Sequence, residues 1–227
     1  MSSVDITVVA DAEEAARLVA ERLAGQAPAG GSIVLTGGST PRHAYELAAR
    51  LAPDWSRTEL WWGDERCVPP DDPQSNYGMA KKALLDRLEA QPAAVHRMQG
   101  ELGRDEAVAE YKHELAEAGT FDLVLLGLGP DGHIASLFPN FPTLDVTGRD
   151  VLGSQAGHEP FVERISLTLP RLCNTEELLF LVAGADKADA VARALDGRPS
   201  HATPGSLARS AEGTTRAVVD RAAASKL

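Results

Sequence analysis

The sequence predicts an α/β fold, a Rossmann-like and mostly parallel sheet with helices on both faces, formed by residues 1–227 as a single domain. Three observations lead there. Strand-type and helix-type segments alternate along the whole chain. The run FDLVLL (121–126) is almost continuously apolar, as in a strand covered on both faces. The glycine-rich stretches follow strands directly, where open α/β sheets bind ligands.

DITVV (5–9) reads as the first strand. In DAEEAARLVAERLAG, the positions Ala15, Leu18, Val19 and Leu23 fall on one helix face, with Gly25 as a stop. SIVLTGG, from Ser32, is a buried-type strand entering a turn. STPRHAYELAARLA is a helix, with Ser39 or Thr40 as N-cap and Pro41 in the first turn. ELWWGDE is a third strand, and SNYGMAKKALLDRL a helix capped by Ser75 or Asn76. RDEAVAEYKHELAEAG is a further helix. FDLVLLGLG, RISLTLP and ELLFLVAG are strands. DKADAVARAL is a helix capped by Asp186, and RAVVD a short last strand. The least regular stretches are 66–74, 139–163 and 198–205.

The totals narrow the function. Apolar residues make up 44% of 227, enough for a substantial core. A net charge of -11 argues against general nucleic-acid binding, which needs a basic face. An anionic ligand would need a local positive site inside a repulsive global field. Cys67 and Cys173 form no C-x-x-C pair, which fits a reducing compartment. No apolar run approaches the roughly 20 residues of a membrane helix, and MSSVDITVVADAEE lacks the basic start of a signal peptide. A cytoplasmic protein is expected, with no membrane partner. The ending Ser225-Lys226-Leu227 matches a peroxisomal address but has no supporting context. The six histidines (His43, His96, His113, His133, His158, His201) show no metal-ligand spacing, so no metal is expected.

Four clusters can carry chemistry. In TGGSTP (36–41) the glycines let backbone N–H groups approach a ligand. The helix that follows offers its N-terminal dipole to a phosphate. The stretch is not a P-loop, because no G-K-[ST] follows, and not a nucleophile elbow, because Pro41 stands where G-x-S-x-G needs glycine. A well-capped tight turn explains it equally well. In WWGDERCVP (61–69), Arg66 offers a bidentate fork to a phosphate or carboxylate, unless it pairs with its own acids. GLGPDGHIASLFPN (127–140) contains the letters of a dinucleotide fingerprint, but lies past mid-chain. The HIASLFPNFP after it holds about two helical turns at most before its prolines. Its alternative use is a catalytic loop in which Asp131 fixes the tautomer of His133 and frees the other ring nitrogen as base. The plain alternative is a turn aspartate beside a partly buried histidine. In GADKADAV (184–191), Lys187 sits in the first turn of a helix, where a cation opposes the dipole, which suggests an anion nearby. Alone it reads as an ordinary surface lysine.

Taken in order, TGGSTP, WGDERCVP with SNY, GLGPDGHIASLFP, RISLTLP and GADKADAV resemble the 6-phosphogluconolactonases. The resemblance runs from about Thr36 to Val191 and more weakly to Asp220. It implies a fold shared with glucosamine-6-phosphate deaminases and ribose-5-phosphate isomerases. It implies a cofactor-free hydrolase of the pentose phosphate pathway that opens 6-phospho-D-glucono-1,5-lactone. Carried over by motif, it makes His133 the base and Asp131 its orienting partner, and assigns the phosphate to Gly38, Ser39 and Thr40. Arg66 and Lys187 supply positive charge, with Arg164 as a weaker candidate for the same anion site. The only implied partner is the phosphorylated sugar lactone, and a monomer or weak homodimer is expected. Two rival readings stay open here. A related deaminase carries a glutamate five residues after the histidine, where this chain has Phe138. A non-catalytic sugar-phosphate sensor would keep the GGST loop without the base. Pro130 departs from an acid often found in the loop and removes an N–H there.

Overall fold

The computed structural model describes residues 3–52, 54–157 and 159–227, so His158 lies outside the described residues. Among these the chain runs β1 (Val4–Val9), α1 (Ala12–Gln26), β2 (Gly31–Leu35), α2 (Ser39–Leu51), β3 (Thr58–Trp62), β4 (Asp64–Arg66), α3 (Asn76–Ala83), β5 (Ala94–His96), α4 (Arg104–Leu115), β6 (Phe121–Leu126), β7 (Val151–Ser154), β8 (Arg164–Leu167), α5 (Leu169–Cys173), β9 (Thr175–Val182), α6 (Ala188–Val191) and β10 (Thr214–Asp220). The main sheet has seven strands among the described residues, in the order β1-β10-β9-β6-β2-β3-β5, and every neighbouring pair is parallel. Leu123–Leu126 of β6 and Leu178–Val182 of β9 are buried without a break, because helices cover both faces of the sheet's centre.

The strand order fixes where a site can form. From β2 the chain builds outward through β3 to β5, then returns to place β6 on the other side of β2. The order therefore reverses between β2 and β6. Loops leaving the carboxyl ends of these two strands diverge and leave a crevice, the usual ligand position in such sheets.

Two buried tyrosines finish strands at this edge. Tyr45 of α2 accepts from Thr36 N at 2.9 Å and donates to Thr36 O at 2.8 Å, just past β2. Tyr111 of α4 does the same for Trp62, accepting at 3.0 Å and donating at 3.1 Å, where β3 has outrun the short β5. Each hydroxyl satisfies one buried N–H and one buried C=O. Burial raises both phenol pKa values above the ordinary range, so these hydroxyls stay protonated and keep donating.

Several sequence expectations are corrected. Gly25 does not stop α1, which continues to Gln26; the turn follows at Gly30 and Gly31, both with positive φ. Neither Ser39 nor Thr40 caps α2. Gly38 occupies that position at φ 112°, a conformation open to glycine, and no side chain bonds there. ELWWGDE is two strands rather than one. The chain turns at Gly63, and β4 leaves the main sheet to join an antiparallel β4-β8-β7 sheet. Of RISLTLP, Arg164–Leu167 lies in this small sheet while Leu169 and Pro170 begin α5, and β7 emerges from a stretch that reads as irregular. The three-residue β5 has too little pattern to be seen in sequence. DKADAVARAL is not one α-helix capped by Asp186. Gly184 stands at the cap, and 3-10, α and π turns follow one another through Asp196. RAVVD extends to seven residues. For SNYGMAKKALLDRL, Ser75 is the cap, accepting from Gly78 N at 2.9 Å.

Replacing Tyr111 with Phe leaves the Trp62 N–H and C=O buried without that partner. We expect Tyr111→Phe to lose about 1–3 kcal/mol of stability, read as a lowered urea midpoint at unchanged slope.

Candidate active site

The carboxyl ends of β2, β3, β6 and β9 all reach the same sheet edge, because these four strands are parallel neighbours. Each end carries one of the four sequence clusters. Together they enclose a cavity of about 340 Å³. Gly38, Ser39, Thr40, Arg66, His133, Arg164 and Lys187 all line it. Asp131 does not reach its wall but stands behind His133.

The loop after β6 is a turn and contains no helix. Gly132 N donates to Gly129 O and Gly129 N to His133 O, each at 2.9 Å. The long helix that a dinucleotide fingerprint requires does not follow. Asp131 Oδ1 accepts from His133 N at 3.0 Å and lies 2.6 Å from His133 Nδ1. The carboxylate thereby favours the tautomer with its proton on Nδ1, leaving Nε2 to take a proton. The Phe138 ring backs the imidazole at 5.0 Å between centroids. Gly129 has no room for a side chain, since a Cβ there would sit 2.0 Å from His133 Nδ1. Gly132, at φ 94°, presses against Thr203, and its carbonyl accepts from Gly205 N at 2.9 Å.

The opposite side is cationic. Arg66 on β4 and Arg164 on β8 are directly paired residues of the antiparallel ladder. Like charges placed so are destabilising without an anion between them. Neither makes an ion pair with a carboxylate among the described residues. Arg66 Nη1 donates to Gln74 O at 2.5 Å, and its buried Nε has no partner among them. Arg164 is 2% exposed and donates to Pro160 O at 3.0 Å and Val162 O at 3.3 Å. Burial, and then the Arg66 charge beside it, pull its pKa below the usual arginine range. Lys187 faces the cavity from beyond β9, with Asp186 at 3.4 Å. The first N–H groups of α2 have no intrahelical acceptors and point a positive dipole end into the same space.

The acids of DER do not serve Arg66, as its plain reading would have it. Glu65 is buried and accepts from Arg66 N, Asn76 N, Tyr77 N and Ser75 Oγ at 2.7–2.9 Å. It pins the start of α3 to β4, and burial raises its pKa despite these bonds. Asp64 and Asn76 are the residues that sequence reasoning missed. Both are buried and line the cavity. Asn76 Nδ2 bonds Asp64 O at 2.9 Å and Oδ1 at 3.2 Å, and its own Oδ1 would lie 2.1 Å from a Cβ at Gly37. The letters GDER and SNY signalled a site, but not which acid faces it.

A parallel α/β sheet with a cationic strand-end cavity and an aspartate-held histidine defines an enzyme class that acts on small anionic substrates. Comparisons with known proteins fix the family. The family model described as glucosamine-6-phosphate isomerases/6-phosphogluconolactonase matches residues 7–217, and the chain belongs to this family. The 6-phosphogluconolactonase of Streptomyces coelicolor is 43% identical, over 94% of this chain and 88% of that protein. Among solved structures, the 6-phosphogluconolactonase from Trypanosoma brucei superposes with a TM-score of 0.87 at 26% identity, over 100% of both chains. A monomeric glucosamine-6-phosphate deaminase of the NagB superfamily gives 0.88 at 19% identity, over 99% of this chain and 100% of that one, a likeness of fold alone.

Gly129→Ala is expected to push the imidazole off Asp131. Turnover should fall by at least about tenfold, the scale of a misplaced catalytic group, while far-UV circular dichroism stays that of wild type.

Proposed function

We propose that this chain hydrolyses 6-phospho-D-glucono-1,5-lactone to 6-phospho-D-gluconate, with His133 activating the attacking water. The observation that carries this reading is the 2.6 Å contact between Asp131 and His133 Nδ1, at a cavity whose other wall holds Arg66, Arg164 and Lys187. Residues 1–227 act as one lactonase domain, which the contiguous hydrophobic core supports. The chain acts as a monomer or weak homodimer.

The substrate phosphate sits against the α2 N-terminus, held by Gly38, Ser39 and Thr40 with the cationic wall. His133 Nε2 takes a proton from water as the oxygen adds to the lactone carbonyl carbon. The resulting oxyanion is stabilised by backbone N–H groups or by Arg66. As the ring C–O bond breaks, the imidazolium returns its proton to the leaving ring oxygen. Asp131 stabilises that imidazolium and keeps the ring oriented. Lactone hydrolysis is undemanding, so no cofactor and no covalent nucleophile is needed. The place five residues after His133 is Phe138, whose buried ring cannot serve the proton transfers of an aldose–ketose isomerisation. A sensor that only binds would have no use for the Asp131–His133 pair.

His133→Ala should lower kcat by about 10²–10⁴-fold, the usual contribution of a general base, with little change in product affinity. The check is hydrolysis of freshly generated 6-phosphogluconolactone minus the spontaneous rate; wild-type turnover in this variant would remove His133 from the mechanism. Arg66→Ala and Lys187→Ala should chiefly raise KM, by about 10–100-fold for a lost charged hydrogen bond. Both should also narrow the preference for phosphorylated over unphosphorylated gluconolactone. Equal rates on the two lactones with wild type would count against the anion site.

A further inference from the structure

Asp64 is a buried acid that the mechanism above does not use. It is 5% exposed, and it is the only carboxylate among the described residues that line the cavity. Its oxygens accept two neutral hydrogen bonds, from Ser136 Oγ to Oδ2 at 2.6 Å and from Asn76 Nδ2 to Oδ1 at 3.2 Å. It comes within 4 Å of no cationic nitrogen of Arg66, Arg164 or Lys187, although Arg164 feels its charge. A carboxylate offers about four acceptor positions, so part of its capacity stays open on the cavity side. Burying such a group is costly, and only the charge of nearby Arg164 offsets part of that cost.

An acid here also works against a phosphate. The wall built for the anion is made wholly of donors, and a carboxylate beside it would repel the ligand. The cost makes sense if Asp64 faces a different part of the substrate, one that donates. The sugar hydroxyls are the donors such a substrate has.

We propose that Asp64 is a specificity-determining residue whose carboxylate accepts hydrogen bonds from ring hydroxyls of the sugar lactone, so that the site selects polyhydroxylated substrates. This rests on the lactonase reading above. Asn76 and Ser136 hold the carboxylate from two sides. Asn76 ties it to α3, and Ser136 ties it to the loop that carries His133. Substrate orientation is thus set relative to the base. A buried acceptor that loses its donor is left unpaired, and this lets polar sites reject deoxygenated analogues strongly.

The test is a deoxy scan. Wild type, Asp64→Asn and Ser136→Ala are assayed with 6-phosphogluconolactone and with its 2-, 3- and 4-deoxy analogues, each corrected for spontaneous hydrolysis. For wild type, at least one deoxy lactone should lose about tenfold or more in kcat/KM, a fraction of what full polar discrimination achieves. In Asp64→Asn the parent lactone should fall toward that analogue and the ratio collapse toward one. Ser136→Ala should keep the ratio. Equal kcat/KM for the parent and every deoxy lactone in wild type would overturn the proposal without recourse to any variant. So would an unchanged ratio in folded Asp64→Asn, since a merely structural Asp64 lowers all substrates alike. Failure of wild type to hydrolyse any of these lactones would remove the lactonase reading and this proposal together.

Discussion

The parallel register of the central sheet is the constraint on which the rest depends. Parallel strands point all their carboxyl ends to one edge, and their connections must cross over a face of the sheet to return. The strands β9, β6, β2 and β3 are consecutive in that sheet, although far apart in sequence. Four loops separated by up to about 150 residues are therefore brought to one edge. The reversal of strand order between β2 and β6 opens the space they line. The two strand-finishing tyrosines keep that edge rigid, since each holds both backbone groups of the residue from which a site loop departs.

Charge is arranged against the global trend. A chain with a net charge of -11 repels anions at a distance. Within the cavity it places two arginines side by side on adjacent antiparallel strands and leaves them without carboxylate partners among the described residues. The acids nearby are turned to other uses. Glu65 is consumed by the start of α3, and Asp64 is held by Asn76 and Ser136. This segregation keeps the guanidinium groups available to a ligand, whereas the usual surface arrangement would neutralise them. Gly37 and Gly129 serve the same end by yielding space to Asn76 and His133.

The strands β2, β6 and β9 and the helices α1, α2 and α4 were legible because each is long enough for its period, or its unbroken apolar run, to show. The three-residue strands β4 and β5 were not, since a pattern needs more repeats than they contain. The Gly38 cap was hidden because hydroxyl residues beside it are better caps on average, yet here the backbone turns at φ 112° before they begin. The segment DKADAVARAL is helical as read, but its Asp186 cap was misplaced, because the chain turns at Gly184 into a 3-10 start. Asp131 and His133 could be paired from sequence because they lie two residues apart in a glycine-bounded loop. Asp64 and Asn76 could not, because their meeting depends on β4 leaving the main sheet at Gly63.

By itself, the sequence determined the alternation of strands and helices, the family motifs in order, the histidine with its aspartate, and the cations available for an anion. These are local properties, set by periodicity, turn chemistry and residue type within a few positions. Only the tertiary structure decided that Arg164 faces Arg66, that Glu65 is structural while Asp64 reaches the cavity, and that Asn76 and Ser136 hold that acid in place. These follow from the pairing of β4 with β8 and the packing of α3 and the histidine loop around it. Such pairings are fixed by which buried groups find partners across long stretches of chain, and no local pattern encodes them.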